Sequence, residues 1–154
     1  MRREEKEIKE RSVIDDIINQ ANVMRLAMVD GASPYIVPLN FGYDGKNVYF
    51  HCATAGRKID VLKANNKVCF EIEGEVSIKT ADKPCAFSCN FKSVIGFGKV
   101  VFLEEGEEKI KGLSVIMNHY SEGMYDFDPE ALKKTCVIRI DIDSITGKRS
   151  PKDS

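Results

Sequence analysis

Residues 35–52 read YIVPLNFGYDGKNVYFHC. Two runs rich in Val, Ile, Tyr and Phe flank Asp44-Gly45, a dipeptide that supplies the positive φ of a tight hairpin turn. The stretch predicts one strand over Tyr35–Tyr43 and another over Asn47–Cys52. Pro38 falls inside the first. Proline cannot donate to a ladder, so it marks a bulge, an edge, or a place where something other than a strand meets the backbone. Upstream, Val23–Val29 reads as a strand joined to the next by Asp30-Gly31. Two successive hairpins make an antiparallel meander.

The pattern extends outward on both sides. Ser12 followed by Asp15 has the spacing of a capping box, and Val13, Ile14, Ile17, Ile18 and Ala21 then share one helical face. Arg57–Ala64 has helical character with Ile59, Val61 and Leu62 available for burial, and Asn65-Asn66 stops it. Lys67–Glu73 and Glu75–Lys79 suggest a hairpin around Gly74, and Thr80–Asn90 reads as a loop. Phe91–Leu103 is strand-like, with Gly96 and Gly98 placed for a bend or a close backbone approach. A second amphipathic helix covers Glu107–Tyr120, its apolar side drawn from Ile110, Leu113, Ile116 and Met117. Asp128-Pro129 opens a short helical turn, and Thr135–Ile142 alternates as a last strand. Many short strands with a few interposed helices favour a mainly β fold, an antiparallel small barrel with peripheral helices, over a βαβ sandwich.

With 154 residues, 43% of them hydrophobic, the chain is long enough for one domain with its own core. Residues 1–154 are read as that single domain, with 1–11 and 150–154 as flexible or arm-like ends. The 23 basic and 24 acidic residues leave a net charge of -1, which argues against a nucleic-acid partner, since phosphate neutralisation needs a basic excess. No run is apolar enough to span a bilayer, and the charged start, Met1–Arg11, does not fit a secretory signal; a cytoplasmic address is expected. The five cysteines, an odd number without framework spacing, are expected to be reduced thiols. Cys85, Cys89, His51 and Cys52 lack the C-x2-C spacing of a zinc site, so no metal is expected.

Most catalytic signatures are missing. There is no phosphate loop of the Walker type and no G-x-G-x-x-G fingerprint, because Gly96-Phe97-Gly98 runs on into Lys99-Val100-Val101. Neither H-E-x-x-H nor G-x-S-x-G occurs. Gly56-Arg57-Lys58, at the start of a helix just after a strand, is the one local feature with a chemical reading. Backbone N–H groups at a helix start favour an anion, and two cationic side chains add charge-assisted hydrogen bonds. The competing reading is a solvated helix start, although cations there oppose the helix dipole.

Taken in order, Pro38-Leu39-Asn40-Phe41-Gly42-Tyr43, Tyr49-Phe50-His51 with Gly56-Arg57-Lys58, Ser93-Val94-Ile95-Gly96-Phe97-Gly98 and Thr146-Gly147-Lys148-Arg149 resemble the Nim-type (nitroimidazole resistance) branch of the pyridoxamine 5′-phosphate oxidase-like proteins, which are flavin-binding split barrels. The resemblance spans about Arg2 to Arg149. It implies a homodimer with FMN, or FAD, in clefts between subunits. It also implies a flavin-dependent oxidoreductase that takes electrons from an external reductant and passes them to a small electron-poor acceptor such as a nitroimidazole; a flavin- or haem-binding protein without turnover is the alternative. The S-R-K step that holds the flavin phosphate is matched by Arg57 and Lys58, with Gly56 in place of the serine. Val37, Pro38, Leu39 and Asn40 match the strand beside the isoalloxazine ring, and Ser93 stands where the oxidase has a flavin-contacting glutamine. His51, with Cys52 beside it, Lys148 and Arg149 complete the implied contacts, and His51 is the candidate catalytic residue, set against a purely structural histidine. The tryptophan with which the oxidase grips pyridoxal phosphate has no counterpart, since the chain has no Trp. His119, at a helix end, reads as a packing or capping residue, or as a haem ligand.

Overall fold

Alternation of apolar and polar residues is the physical basis of the sheet: along Met24–Asp30 and Lys67–Glu73 every second side chain is buried. The computed structural model describes residues 3–150. In chain order the elements are β1 (Glu7–Ile8), α1 (Arg11–Gln20), β2 (Met24–Asp30), β3 (Ser33–Leu39), β4 (Gly42–Tyr43) and β5 (Asn47–Ala53). They continue with α2 (Arg57–Ala64), β6 (Lys67–Glu73), β7 (Ser77–Lys79), β8 (Ser88–Asn90), β9 (Lys92–Leu103), α3 (Gly106–Tyr120), α4 (Pro129–Lys133) and β10 (Thr135–Arg149). One antiparallel sheet runs in the order β3-β2-β6-β9-β10-β5-β4, with β1 added against β10. This is the split-barrel fold, mainly β, with helices around it.

The main core fills the barrel. Phe41, Phe50, Phe70, Met24, Leu26, Ile72, Val94, Ile138 and Ile140 are buried there, and α1 closes one side with Ile14, Ile17 and Ile18. A second cluster, Tyr49, Leu103, Leu113, Ile116 and Val137, lies under α3. Each such side chain contributes about 1.5–3 kcal/mol on leaving water.

Several expectations change in detail. The capping box is absent: α1 starts at Arg11 with Glu10 before it, and Asp15 instead accepts hydrogen bonds from Arg11 Nε and Tyr43 Oη. The strand expected over 35–43 breaks at Asn40-Phe41, because the Phe41 N–H donates to Tyr120 Oη (2.9 Å) rather than to a neighbouring strand. The hairpin around Gly74 does not form; β6 pairs with β2 and β9, while β7 pairs with β8 inside the segment read as a loop. On α3 the packed face is Gly112, Leu113 and Ile116, and Ile110 and Met117 are exposed. A Cβ at residue 112 would sit 3.0–3.2 Å from Val137, Leu103 and Tyr49, so the helix descends onto the sheet at its glycine. The last strand runs seven residues beyond Ile142, past a register shift between Ile142 and Ser144. Within the N-terminal segment 1–11, expected to be flexible or arm-like, Glu7 and Ile8 pair with Lys148 and Gly147, and residues 1–2 are outside the described residues. Residues 151–154 of the expected C-terminal end are outside the described residues.

Gly42 sits where α3 meets β4: a Cβ there would lie 2.5 Å from the Val115 carbonyl oxygen and 2.6 Å from Ile116 Cα. Backbone cannot yield as a side chain can. Gly42→Ala is expected to lower stability by about 2 kcal/mol or more, read as a lower urea midpoint; an unchanged midpoint would refute this contact.

Candidate functional site

The strand β5 ends at Ala53, and a three-residue connection, Thr54-Ala55-Gly56, leads into α2. Gly56, with φ +124, makes the final step into the helix, a conformation L side chains rarely adopt. This accounts for glycine where the family pattern has serine. Its carbonyl oxygen accepts from the Ile59 and Asp60 N–H groups, and no side chain caps the helix start. The N–H groups of Arg57 and Lys58 lie in that first turn, where a helix has no internal acceptor for them. Arg57 Nε is 2.9 Å from Asp30 Oδ2, and its guanidinium carbon lies 4.4 Å from the centre of the Tyr35 ring. Lys58 Nζ lies 5.9 Å from the centre of the Phe50 ring. An uncapped helix start with two cations has the donor set an anion such as a phosphate monoester requires.

Asp30 and Tyr35 belong to the β2–β3 hairpin, so Arg57 ties the start of α2 to the strand carrying Val37, Pro38 and Leu39. β3 is an edge strand: it pairs with β2 alone. Pro38, opposite Arg25, is tolerated for that reason. Asn40, just past the strand, gives its side-chain amide to the Asn22 carbonyl (3.2 Å) and Tyr120 Oη (3.3 Å).

His51 and Cys52 point to opposite faces of β5. His51, opposite Val137, is exposed, and its side chain makes no hydrogen bond among the described residues. Cys52 is half-buried and stands opposite Cys136 on β10. A hydrogen bond from the Cys136 thiol, with help from Lys58 and against burial, lowers the Cys52 ionisation to about 7, while the same bond and burial push Cys136 up.

Ser93, Lys148 and Arg149 form a separate group. Ser93 faces Lys148 across the β9–β10 ladder, and Lys92 faces Arg149. Ten residues along β9 separate Ser93 from Leu103, which faces Val137 at the β5 end; at about 3.3 Å per residue this is roughly 30 Å of strand. Within one chain Tyr35 of β3 lies against Arg57, whereas Ser93, Lys148 and Arg149 lie toward the other end of the β9–β10 ladder from α2, and Leu39 shares the row of Val94 through Met24 and Ile72. His119 is a packing residue: Nε2 is 2.7 Å from the Ala21 carbonyl oxygen, and the ring lies 4.5 Å from that of Phe41.

Asp30, Tyr35 and Cys136 were not singled out from the sequence. The pairing Asp30–Arg57 joins a turn to a helix 27 positions later, and no local pattern signals it. Among the described residues no three His, Cys, Asp or Glu side chains cluster as metal ligands, and no helix is long and apolar enough to cross a membrane.

A family model described as pyridoxamine 5′-phosphate oxidase matches residues 10–149. Among solved structures, a candidate 5-nitroimidazole antibiotic resistance protein from Bacteroides thetaiotaomicron is 33% identical, with 93% of this chain and 86% of that one covered and a TM-score of 0.84. The flavocytochrome Anf3 from Azotobacter vinelandii is 19% identical (96% of this chain, 72% of that one, TM-score 0.82). A FAD and heme binding protein from Mycobacterium smegmatis is also 19% identical (97% and 77%, TM-score 0.83). For the last two the likeness is one of fold. No curated protein sequence gives a significant match. The family match over nearly the whole chain and the first of these structures together place the protein: it belongs to the pyridoxamine 5′-phosphate oxidase family, in its Nim-type branch.

Proposed function

We propose that the protein is an FMN-dependent oxidoreductase that reduces a small electron-poor acceptor, such as a nitroimidazole, at a site completed by a second copy of the chain. The observation that carries this reading is the uncapped start of α2 after Gly56, with Arg57 and Lys58 beside the free edge of β3. The fold family implies a flavin, and the donor set fits a flavin mononucleotide phosphate. FMN would supply electron transfer, and the chain supplies position and electrostatics. Arg57 and Lys58 neutralise the phosphate, Asp30 and Tyr35 hold the Arg57 guanidinium in place, and the first-turn N–H groups donate to it. The outer edge of β3, with Val37, Pro38, Leu39 and Asn40, offers unpaired backbone groups to the polar rim of a ring system. His51, exposed one residue before Cys52, is available to hold the anionic end of an acceptor. A haem-ligand role for His119 is disfavoured because its Nε2 is committed to Ala21.

The case for a homodimer rests on two features. The start of α2, with Arg57 and Lys58, and the group Ser93, Lys148 and Arg149 lie toward opposite ends of the β9–β10 ladder, so the second group would reach a flavin held at α2 from a second copy of the chain. The outward sheet face also carries a row across four strands, Ile36–Ala27–Cys69–Phe97, with Ile36 60% and Phe97 54% exposed. Contiguous apolar side chains on a sheet face mark an interaction surface. Flavin type, reductant and a cytoplasmic location remain part of the proposal.

Two experiments test it. In Arg57→Ala combined with Lys58→Ala, each lost charge-assisted hydrogen bond removes about 1.5–3 kcal/mol. FMN affinity is therefore expected to fall by roughly two to four powers of ten, while riboflavin, which lacks the phosphate, binds almost as before. Equal losses for both ligands, or none, would remove α2 as the phosphate site. Second, Ile36→Glu with Phe97→Glu is expected to turn a sedimenting dimer into a monomer and to weaken FMN at least about tenfold, about 1.4 kcal/mol. A folded monomer that binds FMN as tightly as wild type would overturn the shared site.

A further inference from the structure

The inward column of β5 and β10 runs Val48/Ile140, Phe50/Ile138 and ends at Cys52/Cys136. The first two pairs are fully apolar and buried; at the barrel's end the pair becomes two half-buried thiols directly opposed across the ladder. Directly opposed residues on antiparallel strands have Cα atoms about 4.5–5.5 Å apart, inside the roughly 4.4–6.8 Å that a disulfide spans. Neither strand has to move for the sulfurs to join. The remaining cysteines have no such arrangement: Cys69 lies on the outward face of β6, Cys85 in an exposed turn, and Cys89 has its Sγ on the Asn90 carbonyl.

Beside the pair is a cavity of about 210 Å³ with Cys136 in its wall. Lys63, Lys109 and Lys133 line it against a single carboxylate, Glu104. These cations draw an anionic reagent to the Cys136 wall of the cavity, beside Cys52.

We propose that Cys52 and Cys136 are a dithiol–disulfide redox pair that exchanges with an anionic low-molecular-weight disulfide entering the lysine-lined cavity. This goes beyond the flavin reading and does not depend on it. Cys52 bears the thiolate, with the charge of Lys58 near it and Cys136 directly across the ladder. The Cys52 thiolate attacks one sulfur of the small disulfide, whose S–S bond breaks. The departing thiolate takes the proton of Cys136. The Cys136 thiolate then attacks the Cys52 sulfur of the mixed disulfide and expels the second small thiolate, which takes a proton from water. The protein dithiol loses two electrons and the small disulfide gains them, becoming two thiols.

The test uses the reduced, full-length protein with glutathione disulfide as the anionic probe, followed by alkylation and peptide mapping. The expected result is a linked Cys52–Cys136 peptide, the other three of the five cysteines still alkylated, and reversal by reduced glutathione. Cys136→Ser should instead stop at a glutathione adduct on Cys52. Replacing Lys63, Lys109 and Lys133 together by Gln should slow the reaction with glutathione disulfide about tenfold or more, and leave that with uncharged 2-hydroxyethyl disulfide within about twofold. Five alkylatable thiols after exposure to excess glutathione disulfide, or adducts on Cys85 and Cys89 without the linked peptide, would overturn the redox pair. A triple variant that reacts with both probes at the wild-type rate would overturn the anionic reagent. The wild-type map needs no variant to fold, and FMN binding measured on the same sample reports the flavin reading separately.

Discussion

The Phe70 ring occupies the space that a side chain at residue 96 would need: a Cβ there would lie 2.1 Å from its tip. Two positions on, a Cβ at residue 98 would lie 2.3 Å from the Asp141 carbonyl oxygen. β9 is paired on both sides, to β6 and to β10, so it cannot shift away from either neighbour. The two glycines let the strand pass over Phe70 and close against β10 at once. The barrel core of Phe70, Phe50, Ile138 and Ile140 forms around that passage. The position of both half-sites follows from the same strand, since Ser93 lies near its start and Leu103, facing Val137, at its end.

The other end of the barrel is organised by charge. Arg57 would otherwise be a cation at a helix start, where the dipole disfavours it. Asp30 at 2.9 Å and the Tyr35 ring offset that penalty and fix its direction. With the Arg57 side chain 62% exposed, the ion pair itself adds little stability. Its value is geometric: it couples the β2–β3 turn to α2, and with them the free strand edge to the uncapped N–H groups. A group that bridges edge and helix meets a surface arranged beforehand, so less ordering cost falls on binding.

Local signals carried much of this into the sequence, and long-range ones did not. Arg57–Ala64 was legible in full because its apolar spacing and the Asn65-Asn66 stop are local. Pro38 signalled a bulge, an edge or a non-strand neighbour, and the strand order makes it an edge; Gly96 and Gly98 signalled a bend or a close approach, and the structure shows the close approach. Asp128 caps α4 through the Glu130 and Ala131 N–H groups as its sequence suggests. The hairpin at Gly74 failed because β6 has better partners distant in the chain, β2 and β9, and pairing is decided by burial of Phe70 and Ile72 rather than by the turn. Ser12–Asp15 failed as a cap because Arg11 and Tyr43, the latter 28 positions from Asp15, compete for the same carboxylate. Of the candidate site, the helix start at Gly56-Arg57-Lys58 could be read from adjacent residues. Asp30, Tyr35 and Cys136 could not, because each enters through tertiary contact.

An edge strand with unpaired backbone groups invites association with another chain. β3 carries two devices against a plain strand partner, Pro34 and Pro38, at alternate even positions of the strand. They remove two N–H donors and leave the carbonyl groups in place. Such an edge is a poor template for a ladder but keeps its capacity to accept hydrogen bonds from a partner that is not a strand. Ile36, exposed between the two prolines, adds apolar contact on the sheet face rather than along the edge. In the proposed dimer, association is thereby steered from edge-to-edge pairing to face packing: a second chain over the row from Ile36 to Phe97 would leave the edge of β3 and the start of α2 open to a small ligand.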